Sequence, residues 1–403
     1  MPGPEPVDES LAASGAVRAR TALVLSGGGA RGAYQAGVLQ GLLESGLLPE
    51  DGFELLVGSS AGAINAAFLA AHASELPSSI ARLEDLWSTI EPERVFRTDL
   101  RSLGGIGMRW VRDLSFGGML RRTGAKSLLD TTPLRELLLA AIPFDRIDDN
   151  IEGGRLRALA VPATDLYTSD GVVFLDAQPD VPLWERGRWR VERTRIGVEH
   201  LMSSSAIPIF FPSIEIEGRH FGDGSIRNTA PLSPAINLGA DRIVAIGVRQ
   251  PTPATDPTRH SKPPSIAQVA ATLLDAVMLD AIGTDVEHSG RVNTSVIAAP
   301  GEGPDQAFRW INVLWLSPTC HFSEIAREFS HRIPPIVRYL MRGLGTDEET
   351  TELASYLLFD SEFCGRLVEL GRRDVTARAE GIRAFFADSS PPPAAAAVAR
   401  NGP

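Results

Sequence analysis

Between residues 53 and 71 the chain passes from a short apolar run, Phe53-Glu54-Leu55-Leu56-Val57, through Gly58-Ser59-Ser60-Ala61-Gly62 into a stretch with Ile64, Ala67, Phe68 and Ala71 at helical spacing. A strand that becomes a helix across five small residues constrains the fold strongly. The strand must lie in a sheet and the helix must pack back on it, which is the α/β arrangement. In a G-x-S-x-G turn the two flanking glycines leave room for a strained serine to project alone from the bend, so Ser60 rather than Ser59 is the candidate nucleophile. By itself the pentapeptide also fits a plain small-residue turn.

A second strand-to-helix passage lies upstream. Thr21 to Ser26 reads as a buried strand, Gly27-Gly28-Gly29-Ala30-Arg31-Gly32 follows, and Tyr34, Val38, Leu39, Leu42 and Leu43 mark a helix. Consecutive glycines before a helix leave backbone N–H groups able to approach an anion closely. A nucleotide-triphosphate loop would need Lys-Ser or Lys-Thr after its last glycine, and Ala33-Tyr34 stands there instead. Gly27, Gly29 and Gly32 do satisfy the dinucleotide pattern G-x-G-x-x-G. That pattern expects an acidic residue at the end of the second strand, whereas Asp51 and Glu54 lie at its beginning and the serine turn occupies its end. An oxyanion hole built from Gly27, Gly28, Gly29, Arg31 and Gly32 accommodates both motifs. Two readings of Arg31 stand: it strengthens the field or grips a substrate phosphate, or it pins the loop by hydrogen bonds to carbonyls.

The third element is Asp223-Gly224-Ser225, after the apolar stretch that contains Phe221. An Asp-Gly step alone is most often a turn. In this order and company, the three motifs resemble the patatin-like phospholipase family across roughly residues 20 to 250, together with Leu128 to Leu134 and Ser204-Ser205-Ala206-Ile207-Pro208. The resemblance implies a three-layer α/β/α sandwich around a mixed, largely parallel sheet. It also implies a Ser60–Asp223 dyad in which Asp223 is the proton acceptor, with no histidine, metal or cofactor. Ser225 departs from the glycine or alanine usual at its position but remains small. Among seven histidines, His220 is the competitor as base, yet strand alternation sends residues 220 and 223 to opposite faces. A triad in which a histidine is the base and Asp223 orients it is the alternative.

Composition bounds the remaining classes. A net charge of −11 over 403 residues, with no basic recognition motif, argues against nucleic acid as a partner. No apolar run reaches the roughly 18 residues of a membrane span, and the first twenty residues lack the apolar core of a signal peptide. Cys320 and Cys364 read as buried thiols of a cytoplasmic protein rather than a disulfide. Residues 97–126 interleave arginines with Met108, Trp110, Leu114, Phe116 and Met119. That composition suits a lid or peripheral membrane contact, and equally an ordinary insertion packed on the core.

The expected organisation is a disordered tail over 1–19, a catalytic domain over 20–250, a proline-rich loop over 251–264, a helical region over 265–388 and a second tail over 389–403. The helical region reads as a cap on the core or a surface for homo-oligomers. The expected function is hydrolysis of a lipid ester, phospholipid or lysophospholipid foremost. The alternatives are a lipid-binding protein with a vestigial site and a dinucleotide-dependent oxidoreductase. If the glycine spacing places the turn correctly, Ser60→Ala abolishes ester hydrolysis with the fold intact and Ser59→Ala retains much of it. Equal loss in the two variants would show the turn misplaced.

Overall fold

Strand β1 (Thr21–Leu25) and strand β2 (Leu55–Gly58) are buried along their whole length, as strands covered on both faces must be. Their alternation sorts side chains into two layers. Leu23, Leu25, Leu56, Leu159 and Val161 enter one core, while Ala22, Val24, Leu55, Val57, Ala158 and Ala160 enter the other. The computed structural model describes residues 19–97, 127–251, 276, 281–298, 308–335, 337–338 and 354–387. The terminal tails, residues 98–126, the proline-rich loop over 252–264 and parts of the region expected to be helical lie outside the described residues.

Helix α1 (Ala33–Glu44) follows β1, and α2 (Ala61–Ala71) and α3 (Leu76–Ser88) follow β2. Then come α4 (Thr132–Ala141), α5 (Asp145–Glu152), β3 (Ala158–Asp165), β4 (Gly171–Ala177), β5 (Glu185–Arg186), β6 (Trp189–Arg193) and α6 (Val198–Ser204). The chain continues through β7 (Ile214–Ile216), β8 (Arg219–Gly222), α7 (Ser233–Asn237), β9 (Arg242–Ile246), α8 (Ile282–Ala298), β10 (Asn312–Leu316), α9 (Phe322–Glu328), α10 (Ser361–Ala377) and α11 (Ala379–Ala387). The sheet runs β10-β9-β1-β2-β3-β4-β6-β5, with β8 pairing β3 and β7 pairing β8. From β10 to β3 every neighbour is parallel, whereas β3 pairs β4 and β8 antiparallel. Helices cover both faces, which makes the fold the expected sandwich around a mixed, mostly parallel sheet with further helices at its C-terminal end.

One feature departs from the sequence reading. The region expected to be helical also contributes β10, which extends the sheet beside β9 in register Asn312 to Arg242. Its period-2 pattern spans only Asn312-Val313-Leu314-Trp315-Leu316, and its neighbours are set by pairing rather than by local sequence. In addition, α10 packs along α1 so closely that backbones nearly touch. A Cβ on Gly37 would overlap the Val368 carbonyl, and one on Gly371 would sit 2.5 Å from the Tyr34 carbonyl oxygen. The Tyr34 hydroxyl donates to Asp374 at 3.0 Å across the same contact.

This crossing generates a stability test. Alanine at an exposed helix position would gain about 1 kcal/mol over glycine. Gly37→Ala is instead expected to lower the unfolding free energy by about 1–3 kcal/mol through overpacking, read as a lower urea midpoint. A raised midpoint would show that the two helices do not meet there.

Candidate active site

Ser60 caps α2 at the end of β2 with φ 53° and ψ −126°. A non-glycine residue held there stores about 1–3 kcal/mol of strain, which the surroundings must offset. They do so locally. A Cβ on Gly58 would overlap the Gly62 carbonyl, and one on Gly62 would overlap the Leu25 carbonyl, so only glycines let the strand, turn and helix close on β1. The Gly62 N–H donates to the Ser59 carbonyl at 2.8 Å, and the Ser59 N–H to the Leu25 carbonyl at 3.1 Å. The Ser60 N–H is taken by the Ser204 hydroxyl at 3.0 Å, which in turn donates to the Pro162 carbonyl of β3 at 2.6 Å. Ser204 therefore ties the elbow to the neighbouring strand. The sequence offers no signal for that role beyond a run of three serines.

Asp223 follows β8 and is fully buried. Its N–H donates to the Ala206 carbonyl at 3.1 Å, and its carbonyl accepts from the Thr164 hydroxyl at 3.0 Å. Oδ1 accepts the Ser225 N–H at 2.8 Å. Burial drives the carboxyl pKa up to about 6, opposed by the Ser225 N–H and by the Ser60 and Ser225 hydroxyls. Oδ2 is buried without a well-formed hydrogen bond. The Ser60 hydroxyl is thus near enough to the carboxylate to oppose the effect of burial on its pKa.

The glycine loop lies against this pair. A Cβ on Gly27 would stand 3.0 Å from the Ser60 Cβ and 2.5 Å from the Ser225 Oγ. Among the described residues, the N–H groups of Gly27, Gly28 and Gly29 donate to no partner. Unpaired donors beside a serine are what a developing oxyanion needs. Two other loop residues make contacts of their own. The Gly32 carbonyl accepts from Asn65 Nδ2 at 3.1 Å. Arg31 is buried, donates through Nε to the Ser355 hydroxyl at 2.8 Å and stacks 3.8 Å from the Tyr356 ring centroid. These contacts tie the Arg31 side chain to the C-terminal segment, through a hydroxyl and a ring. Ser225 Oγ lies 3.5 Å from the Ser59 Oγ, which gives Ser59 a supporting contact.

Among the described residues no histidine hydrogen-bonds to Ser60 or Asp223. His220 is half-buried, stacks edge-on with Tyr167 and sits 4.0 Å from Glu215. His72 bonds the Phe68 carbonyl, and His200 accepts the Gly197 N–H. No cluster of potential metal ligands occurs among the described residues, and none of their helices is long and apolar enough to cross a membrane. Cys320 and Cys364 are both free.

A narrow cavity of about 40 Å³ opens at Ser60, with Trp87, Ile90, Leu134, Leu138 and Phe359 among its lining. A larger hollow of about 740 Å³ lies at the other end of the sheet, against Thr21, Glu54 and Arg242 where β1, β2 and β9 begin. Its distance from Ser60 and its mixed charges separate it from the chemistry.

A patatin-like phospholipase family model matches residues 23–236. The uncharacterized protein YjjU of Escherichia coli (strain K12) is 26% identical over 230 residues, 56% of this chain and 51% of that protein. Triacylglycerol lipase 5 of Saccharomyces cerevisiae is 46% identical over 65 residues, 16% of this chain and 8% of that one. The chain thus spans about half the length of the first relative and a small part of the second. Among solved structures, VipD from Legionella pneumophila is similar with a TM-score of 0.31 and 14% identity, covering 74% of this chain and 61% of that one. Human GIVD cytosolic phospholipase A2, in complex with methyl gamma-linolenyl fluorophosphonate, has a TM-score of 0.44 and 14% identity, covering 92% and 59%.

The buried carboxylate yields a paired test. If Asp223 serves as a base, a pKa of about 6 leaves it half protonated at that pH, and kcat/KM should fall tenfold per unit well below it. Asp223→Asn should remove turnover by several orders of magnitude. Stability should move the other way. A carboxyl whose folded pKa exceeds its unfolded value binds its proton more tightly when folded, so its contribution is greatest in acid and is lost as pH rises through about 6. At pH 8 Asp223→Asn is expected to be more stable than the parent by about 1–3 kcal/mol, a gap that closes towards pH 4. A destabilised variant at pH 8 would contradict the burial argument.

Proposed function

Because the chain belongs to the patatin-like phospholipase family, we propose that it is a serine acyl hydrolase that cleaves lipid esters through Ser60 and Asp223, with phospholipids or lysophospholipids as the favoured class. The observation that carries the reading is the juxtaposition of a strained serine, a buried carboxylate of raised pKa and three unpaired N–H groups. A serine hydroxyl attacks an ester only when a base takes its proton. Asp223, with a pKa of about 6, is ionised at neutral pH yet basic enough to do so.

In this mechanism the Ser60 proton passes to Asp223 as the serine oxygen bonds to the carbonyl carbon. The carbonyl oxygen becomes an oxyanion facing the N–H groups of Gly27, Gly28 and Gly29. Loss of one such donor costs about 3–4 kcal/mol of transition-state stabilisation in comparable sites. Collapse breaks the bond to the alkoxy oxygen, which leaves with the proton held by Asp223. Water then attacks the acyl-serine and gives a proton to Asp223; collapse breaks the bond to Ser60 Oγ, which takes that proton back as the fatty acid departs.

The apolar lining around Ser60 suits an acyl chain, each methylene buried there being worth about 0.8 kcal/mol. The narrow space means that Leu134, Leu138 and Phe359 must move aside for a long one. The test combines a panel of lipid classes with a fluorophosphonate probe. Phospholipid or lysophospholipid cleavage with probe labelling, both lost in Ser60→Ala, is expected, and kcat/KM should rise with acyl length. A wild-type chain that binds lipid but neither hydrolyses nor labels would instead mark a vestigial site.

A further inference from the structure

Three consecutive serines end α6, and two of them spend their hydroxyls on the backbone. Ser203 Oγ donates to the His200 carbonyl at 2.7 Å, and Ser204 Oγ to the Pro162 carbonyl at 2.6 Å. Ser205 differs. Its N–H donates to the Leu201 carbonyl at 3.0 Å and its carbonyl accepts from the Ile207 N–H at 2.9 Å. Its hydroxyl is buried and, among the described residues, has no hydrogen-bond partner. The residue as a whole is 5% exposed.

Ser205 lines the same cavity as Ser60 and Gly29. Chain geometry brings it there, since the preceding Ser204 holds the Ser60 N–H at 3.0 Å. The rest of the wall is apolar, with Ile64, Leu86, Leu137 and Phe211 among it. An unsatisfied hydroxyl in such surroundings is destabilising, and alanine would fill the position without that cost. The hydroxyl is therefore a donor held ready for a group that enters the cavity.

Resting on the acyl-hydrolase reading, we propose that Ser205 is a catalytic residue whose hydroxyl donates a hydrogen bond to the alkoxy oxygen of the scissile ester. Two substrate oxygens gain negative charge during acylation. The carbonyl oxygen faces the loop N–H groups, whereas the alkoxy oxygen gains its charge as the carbon–oxygen bond breaks. In the balanced step the proton travels from Ser60 to Asp223 during attack and from Asp223 to the alkoxy oxygen during collapse. Ser205 keeps its own proton throughout. Its hydrogen bond aligns the departing oxygen with protonated Asp223 and stabilises charge not yet neutralised.

Leaving-group dependence tests the assignment. An alkyl alkoxide needs help to depart, whereas a nitrophenolate stabilises its own charge. The full chain and Ser205→Ala are compared on alkyl and p-nitrophenyl esters of one acyl chain. The ratio of alkyl-ester to nitrophenyl-ester kcat/KM should fall about 10- to 100-fold in Ser205→Ala, the worth of one hydrogen bond to a charged group. Fluorophosphonate labelling should hold and the melting temperature should hold or rise, because only an orphaned hydroxyl has been removed. An unchanged ratio, whether from equal loss on both esters or from no loss, would overturn the proposal. Wild-type chain that fails to label, or Ser60→Ala that still turns over, would overturn the acyl-hydrolase reading itself and is scored apart from the ratio.

Discussion

A carboxylate sealed from solvent, accepting one well-formed hydrogen bond from Ser225 at 2.8 Å, is unfavourable wherever it occurs. The arrangement around Asp223 can be understood as what makes that burial tolerable and useful. The Thr164 hydroxyl and the Ala206 carbonyl hold its backbone from two sides, so the carboxylate is fixed by groups that are not themselves charged. No arginine or lysine is among the groups that shift its pKa. A cation there would stabilise the ionised form, lower the pKa and weaken the base. The proton affinity of the carboxyl is left to burial and a few dipoles, which brings it to about 6.

The same economy governs the serine. Strain at Ser60 is held by hydrogen bonds that run outward to neighbouring strands. The Ser59 N–H reaches Leu25 at the end of β1, and Ser204 links the Ser60 N–H to Pro162 in β3. Parallel pairing of β1, β2 and β3 aligns their C-terminal ends, so the glycine loop, the elbow and the strand that abuts the aspartate turn meet at one edge of the sheet. This is where open α/β sheets assemble ligand sites.

The C-terminal segment completes the support of the loop. Ser355 and Tyr356 engage Arg31, Phe359 stacks with Trp87, and α10 lies along α1. The Asp374 carboxylate takes both the Tyr34 hydroxyl and the Thr319 hydroxyl, at 3.0 and 2.7 Å, joining the helix after the loop to the chain beyond β10. A region that carries no catalytic pattern of its own thus packs against the glycine loop and the helix that follows it.

Much of the site was legible in the chain because its signals are local. Gly58, Gly62 and the apolar residues around them define a turn within a dozen positions, and the three glycines before α1 leave N–H groups unpaired wherever such a loop occurs. Alternation separated His220 from Asp223 on paper, but β8 ends at Gly222 and Asp223 takes its position from the turn that follows. The short strands β5, β6 and β10 were not legible, since their pairing partners lie elsewhere in the chain and supply most of their stability. Neither was the role of Arg31, for which the sequence left two readings, because its partner Ser355 is 324 residues away. Ser205 shows the same limit within one tripeptide, for nothing in Ser203-Ser204-Ser205 distinguishes a hydroxyl that bonds the backbone from one left unpaired. Sequence by itself determined the residue types and the two strand-to-helix turns, because short-range sterics allow few conformations to such stretches. Only the tertiary structure decided which groups were desolvated, which were paired and which were left open, because burial and hydrogen-bond partners are properties of segments brought together from far along the chain.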